Sequence, residues 1–199
     1  MSVTTGLIFL RHSLPVIDLA VPAREWRLSE EGQLRCRLLA EQLANFNPKK
    51  IVSSLEPKAL ETAQIVAETL RLPYERADGL HEHVRSRSGN TSQEAFEASV
   101  KAFFEQPDQL VFGDETADQA HARFLQTVEA IQERYPSQTP LVIVTHGTVI
   151  SLFVARACGV DPFHLWKSLK LPCMVIFPNG LPTIISLDSP KPYPRLPDR

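Results

Sequence analysis

Two short apolar runs constrain this chain more than anything else in it. Leu7-Ile8-Phe9-Leu10 and Leu141-Val142-Ile143-Val144 are unbroken, and each gives way at once to a histidine-bearing polar segment, Arg11-His12-Ser13 and Thr145-His146-Gly147. An uninterrupted apolar run of this length reads as a strand buried on both faces, as in a parallel sheet covered by helices. The polar residues then fall at strand carboxyl ends, where open α/β sheets bind their ligands. A single Arg-His pair after a strand is also what a solvated strand end looks like. Two strand-end histidines, each beside small or polar residues, are hard to read as core filler, and if the strands are neighbours in one sheet, both imidazoles meet at the same edge. Arginine offers a planar fork of donors suited to phosphate or carboxylate, and histidine is the side chain best matched to nucleophilic or acid–base work near neutrality.

The segments between the two runs alternate helical and strand patterns. Leu28-Ser29-Glu30-Glu31-Gly32 reads as a helix start, with Ser29 as cap and acidic residues in the first turn. That helix runs to about Asn47-Pro48, with Leu34, Leu38, Leu39, Gln42 and Leu43 predicted on one face. Gly32 has no propensity reason to be there, which points to a close approach of the helix to the active edge. Lys50 to Ser53 reads as a second strand, followed by a helix with Pro57 in its first turn. Lys58 projects from the start of that helix, where a cation is unfavourable unless an anion shares the site.

A short strand between Pro73 and Asp78 leads into a polar loop, 79–89, that carries Glu82, Arg85 and Arg87. Helices over 92–105 and 116–134, a helix over 148–158, and a hairpin of 174–177 with 183–187 around Pro178-Asn179-Gly180 complete the pattern. The expected fold is α/β: a three-layer α/β/α sandwich on a mostly parallel central sheet, with a helical insertion over the site. One domain over 1–188 is expected, residues 91–135 forming a cap within it, followed by a Pro-rich tail over 189–199.

Composition narrows the function classes. A formal net charge of -2 on 199 residues argues against a nucleic-acid binder, which carries a basic excess. No stretch approaches a membrane span, and the first residues have no basic region of the kind that opens a signal peptide. Three widely spaced cysteines, Cys36, Cys158 and Cys173, without a CxxC pair, fit reduced thiols and a cytoplasmic location.

Read in order, the polar segments resemble the histidine phosphatase superfamily, the phosphoglycerate mutase-like branch 1 group. The carriers are Arg11-His12-Ser13; Leu28-Ser29-Glu30-Glu31-Gly32; Ser53-Ser54-Leu55-Glu56-Pro57-Lys58-Ala59-Leu60-Glu61-Thr62-Ala63; Leu80-His81-Glu82; Asp114-Glu115-Thr116 with Arg123; and His146-Gly147. Each is weak singly, and the ordered set from about Gly6 to Leu152 is specific.

The resemblance implies a phosphatase that hydrolyses a small phosphomonoester through a phosphohistidine on His12. By the same resemblance, Arg11, Lys58 and His146 hold phosphate oxygens, and Glu82 protonates the leaving alcohol and then activates water. Burial of Glu82 is expected to raise its pKa. No metal or other cofactor is implied. The partners implied are a small phosphorylated molecule, with inorganic phosphate or sulfate able to occupy the site. Arg85 and Arg87 are candidates for a second anionic group of the substrate, and Ser13 for a hydroxyl contact.

Four positions depart from the family pattern. Ser13 stands for glycine and Lys58 for arginine, with loss of the bidentate fork, while Glu61 and Leu55, for glutamine and proline, are expected to have mild effects. The residues around Glu82 also differ from the mutase pattern, which favours phosphatase over mutase. A mutase-type phosphotransferase and a non-catalytic phosphate-binding module, made possible by Lys58, stay open as alternatives. So does a metal site on His81-x-His83 with His12 and His146, as a minor one. Substrate and oligomeric state are not readable, although the hairpin edge offers a surface for pairing into a dimer.

Overall fold

The computed structural model describes residues 4–85 and 92–188; Arg87 and the segment 189–199 lie outside the described residues. Among the described residues six strands form one sheet: β1 (Leu7–Arg11), β2 (Lys50–Ser53), β3 (Tyr74–Arg76), β4 (Leu141–Thr145), β5 (Cys173–Ile176) and β6 (Thr183–Ser186). Their spatial order is β3-β2-β4-β1-β5-β6. The first four run parallel, while β5 and β6 are antiparallel additions at one edge. The fold is α/β, and the expected mostly parallel sheet is the one observed.

The apolar runs are unbroken because both faces of the sheet are covered. Ile8, Leu10, Val142 and Val144 point to one side, where α1 (Glu30–Leu43) and α2 (Pro57–Leu70) supply Cys36, Leu39, Leu43, Ala63 and Val66. Leu7, Phe9, Leu141 and Ile143 point to the other, against α4 (Ala117–Arg134) and α5 (Gly147–Cys158). Phe9 sits there among Phe153, Phe124 and Phe177, with ring centroids 4.9, 5.8 and 6.0 Å away. Tilted and edge-on pairs of this kind add about 0.5–1.5 kcal/mol each beyond the area they bury.

Two expectations need correction. The buried stripe of α1 is Gly32, Cys36, Leu39, Ala40 and Leu43 with Gln42, whereas Leu34 and Leu38 are 54% and 44% exposed. Small residues take the inner face because the helix lies close to its neighbours: a Cβ at Gly32 would stand 2.1 Å from the Leu14 carbonyl oxygen. The close approach inferred for this glycine is therefore present, and it sets a helix phase different from the leucine count. The helical segment 91–135 is likewise not a cap along its whole length. Phe124, Val128 and Ile131 of α4 belong to the layer under the sheet. Only α3 (Gln93–Glu105) stands apart, packing Val100, Phe103 and Phe104 against Ala117, Ala120 and Leu152, with Trp166 of the short α6 (Pro162–Ser168) at the edge of that cluster.

Candidate active site

Strand register brings the two histidines together. Arg11 of β1 is the Cα partner of Thr145 of β4, and Ser53 of β2 is the partner of Val144. The next residues, His12 and His146, therefore leave adjacent strands at one level, and Ser54 leaves β2 one residue earlier, level with Thr145. The His12 amide donates to the Thr145 carbonyl (2.9 Å), and the Ser54 amide donates to the Val144 carbonyl (2.9 Å). The imidazole centroids lie 5.2 Å apart, and both side chains are buried.

Local contacts fix what each ring can do. His12 Nδ1 is 2.8 Å from the Ser13 carbonyl oxygen, which only accepts, so Nδ1 carries the hydrogen and Nε2 keeps its lone pair. His146 Nε2 is 2.9 Å from Ser54 Oγ. Arg11 donates through Nη1 to the Leu169 carbonyl, and its guanidinium passes so close to α5 that a Cβ at Gly147 would stand 3.1 Å from Arg11 Cζ and Nε. The glycine after His146 is thus the space through which Arg11 reaches the histidines. Among the described residues Arg11 Nε and His146 Nδ1 are buried without a hydrogen-bond partner.

Beside the pair, a cavity of about 290 Å³ is lined by Arg24, Glu56, Lys58, Glu82 and Arg85 among others. Glu82 is held rather than free: Oε1 accepts from the His83 amide (2.9 Å) and Oε2 from the Thr148 amide (3.2 Å) in the first turn of α5. Its loop is pinned from behind. Arg123 Nη1 donates to the Gly79 and His81 carbonyls at 2.8 and 3.0 Å, Arg123 Nη2 pairs with Glu115 Oε1 at 2.6 Å, and that same oxygen accepts from the Val84 amide at 2.9 Å. Thr116 is the cap of α4, in a reciprocal capping box with Gln119.

Of the predicted site residues, Lys58, Glu82 and Arg85 line the cavity. Arg11, His12 and His146 are not among its lining residues; the two imidazoles stand together, and His146 Nε2 lies 3.6 Å from Oε1 of Glu56, which does line it. The Arg85 guanidinium is held over Phe96 and Phe112, 5.1 and 5.6 Å from the ring centroids. Ser13 is not brought to the cavity: it is fully buried, its hydroxyl donates to the Gly32 carbonyl (2.7 Å) and its amide to Thr62 Oγ1 (3.0 Å). The serine that replaces glycine ties the strand end to α1 and α2. His81 and His83 both line the cavity, but their rings turn to different partners: His83 lies against Phe103 with centroids 4.0 Å apart, while His81 Nδ1 lies 3.8 Å from Asp78.

One residue escaped the sequence reading. Glu56, in the turn before α2, places Oε2 2.6 Å from Lys58 Nζ, accepts the Glu82 amide at 2.9 Å through Oε1, and puts that same oxygen 3.6 Å from His146 Nε2. The signal was present, because an acid stands where the resembling motif has an apolar residue, two positions before Lys58.

Residues 7–176 match the sequence profile of the histidine phosphatase superfamily (branch 1). The chain belongs to that superfamily. Among its relatives, an uncharacterized phosphatase of Bacillus subtilis (strain 168), PhoE, is 27% identical over 68% of this chain and 66% of its own length. A phosphoserine phosphatase 1 of Hydrogenobacter thermophilus is 28% identical over 70% of this chain and 68% of its own. The chain thus spans about two thirds of the length of these relatives. The fold is similar to that of a phosphoserine phosphatase of Entamoeba histolytica solved in complex with 3-phosphoglyceric acid (TM-score 0.69, 21% identity, 93% of this chain and 97% of that one).

Electrostatics in this member of the superfamily follow from burial among cations. Burial first, then His146, Lys58 and Arg11, hold His12 well below the usual histidine range. Burial and Lys58 do the same for His146, against an upward pull from Glu82. Glu82 departs from expectation. Burial does push its carboxyl up, but His146 whenever that ring carries a proton, and Arg85 and the two backbone amides at all times, outweigh it, so its pKa lies below the ordinary value and the resting group is a carboxylate.

The depressed histidines make stability pH-dependent. An unfolded histidine titrates near 6.5. Below that pH the unfolded chain holds protons that the folded chain excludes, so stability falls as pH falls, the slope rising toward a limit of about 1.4 kcal/mol per pH unit for each such ring. Denaturant unfolding between pH 6.5 and 5.5 is expected to show this decline, with His146→Asn shallower by roughly one ring's worth. Identical slopes for the two proteins would contradict it.

Proposed function

We propose that this chain is a metal-independent phosphomonoesterase acting on a small phosphorylated molecule through a phosphohistidine at His12. The observation that carries the proposal is the pair of register-matched histidines, of which His12 has its Nδ1 hydrogen committed to the Ser13 carbonyl and a lone pair left on Nε2. In this reading Nε2 attacks phosphorus while the P–O bond to the leaving group breaks. Arg11, His146 and Lys58 hold the equatorial oxygens. Glu82 gives its proton to the departing alkoxide. The resulting carboxylate then takes a proton from the water that attacks the phosphohistidine, releasing inorganic phosphate and free His12. Because the resting Glu82 is a carboxylate, the proton arrives with substrate: the negative charge of a bound phosphoryl group favours the protonated acid.

Arg85, stiffened by its two aromatic neighbours and sharing the cavity lining with Arg24, is proposed to bind a second anionic group of the substrate. The similarity to phosphoserine phosphatases supports a small phosphorylated acid as the substrate class. In this proposal residues 1–188 work as one domain. The free Cys36, Cys158 and Cys173 fit the reducing cytoplasm.

The test is release of inorganic phosphate from a panel of small phosphomonoesters, an activated aryl phosphate among them, with an alcohol acceptor in half the reactions. Phosphate release carries the proposal. Transfer to the acceptor would favour a mutase-type enzyme. Silence on every ester would leave a phosphate-binding module, the reading favoured by the engagement of Lys58 with Glu56 and with the Ala23 carbonyl (2.6 Å).

A further inference from the structure

Glu56 puts a carboxylate where an oxyanion pocket ordinarily has none. Its side chain is 11% exposed, so solvent does little to screen it. The groups that face it come from four elements: Lys58 in the first turn of α2, Glu82 with His81 and Arg85 on the 80–85 loop, His146 ahead of α5, and Arg24 on the short 3-10 turn at Ala23–Glu25. His12 and Arg11 stand beyond His146. The histidines are neutral, so the fixed charges of this pocket are the cations Arg11 and Lys58 and the carboxylates Glu56 and Glu82, with the arginines Arg24 and Arg85 at the cavity wall.

Lys58 has three N–H donors. One goes to the Ala23 carbonyl and one to Glu56 Oε2, which leaves one for a ligand. An oxyanion that takes this last donor comes to lie next to Glu56. A fully ionised oxyanion there meets lone pairs with lone pairs, a like-charge juxtaposition at close range in a poorly screened pocket. A singly charged phosphate group still carries a P–OH, and that hydroxyl can donate to Glu56.

We propose that Glu56 is a specificity-determining residue that selects the ionic form of the phosphate group: the pocket takes the protonated, singly charged form, whose P–OH donates to the Glu56 carboxylate, and rejects oxyanions that have no proton to give. The proposal rests on the phosphoryl site described above and goes beyond it, because it predicts discrimination between two oxyanions of the same shape.

Sulfate and inorganic phosphate provide the test. Sulfate is a dianion across pH 5.5–8.5, whereas phosphate changes from mostly singly to mostly doubly charged over that range. Calorimetric titration of the wild-type protein, Glu56→Gln and Glu56→Leu with each anion is expected to give three results. The wild-type protein binds phosphate at pH 5.5 at least about tenfold more tightly than sulfate. Glu56→Gln, which can donate an N–H, and Glu56→Leu each tighten sulfate by about tenfold, corresponding to roughly 1.4 kcal/mol. The phosphate affinity of the two variants loses most of its rise toward acid pH, and their KM for an aryl phosphate at pH 8 falls by a similar factor. Sulfate binding that is unchanged or weaker in both variants, with thermal midpoints near that of wild type and phosphate still bound by wild type, would overturn the proposal and reduce Glu56 to an anchor for Lys58. Failure of the wild-type protein to bind either anion or to turn over any ester would instead remove the phosphoryl site itself, and this proposal with it.

Discussion

His12→Ala is expected to lower turnover of an aryl phosphate on the order of 10⁴-fold or more, with the fold intact. The size follows from the position of the ring. His12 is the strand-end imidazole with a lone pair aimed away from its backbone tie, and among the described residues the other candidate, His146, is engaged through Nε2 with Ser54. Without His12 there is no covalent acceptor, and what remains is the binding cage of Arg11, Lys58 and His146. That cage is expected to survive, so KM or phosphate affinity should change far less than kcat. The same variant carries a stability signature of opposite sign. His12 is held neutral by burial and by its cationic neighbours, which costs stability at acid pH, so His12→Ala is expected to lose less stability than wild type between pH 6.5 and 5.5. A variant that is inactive merely because it is misfolded would not show this.

Glu82→Gln is expected to lower kcat by about 10²- to 10⁴-fold for alkyl phosphates and by much less for a nitrophenyl ester. The difference separates proton donation from mere architecture, since a leaving group that departs as a stable anion needs no proton. The amide also fits its surroundings badly. Glu82 accepts from two backbone N–H groups, of His83 and Thr148, and a glutamine offers one acceptor oxygen and an NH₂ that opposes the second amide. A stability loss of about 1–3 kcal/mol is therefore expected beside the kinetic effect. Equal losses of kcat for both ester classes would assign Glu82 to positioning rather than proton transfer.

The parts of this molecule that sequence made legible share a property: they depend on residues close to one another along the chain. The apolar runs of β1 and β4 announce strands buried on two faces, and the cap Ser29 with its acidic first turn announces α1, whose Gly32 amide it receives at 3.0 Å. The meeting of His12 and His146 needs one further fact, that the strands are neighbours in register, and the order of the family motifs supplies it.

What stayed hidden depends on partners far apart in sequence. The pKa of Glu82 follows from an amide 66 residues away as well as from burial, so burial alone gave the wrong direction. The face of α1 was misjudged because leucine counting ignores how closely Leu14 crosses Gly32. Ser13 reads as a site residue because it follows His12, yet its hydroxyl turns into the helix layer. Glu56 was passed over because a charged residue before a helix ordinarily reads as solvated, and only the fold sets it against Lys58, Glu82 and His146.

A phosphomonoesterase of this kind carries a covalent phosphoryl group on one nitrogen, that of His12. Rapid acid-free quenching of the wild-type protein with a ³²P-labelled phosphomonoester, followed by peptide mapping, measures it directly. The predicted result is a label that is stable in base, lost in acid, confined to the peptide carrying His12 and absent from His12→Ala. Rapid turnover with no label on that peptide, or with the label undiminished in His12→Ala, would contradict it.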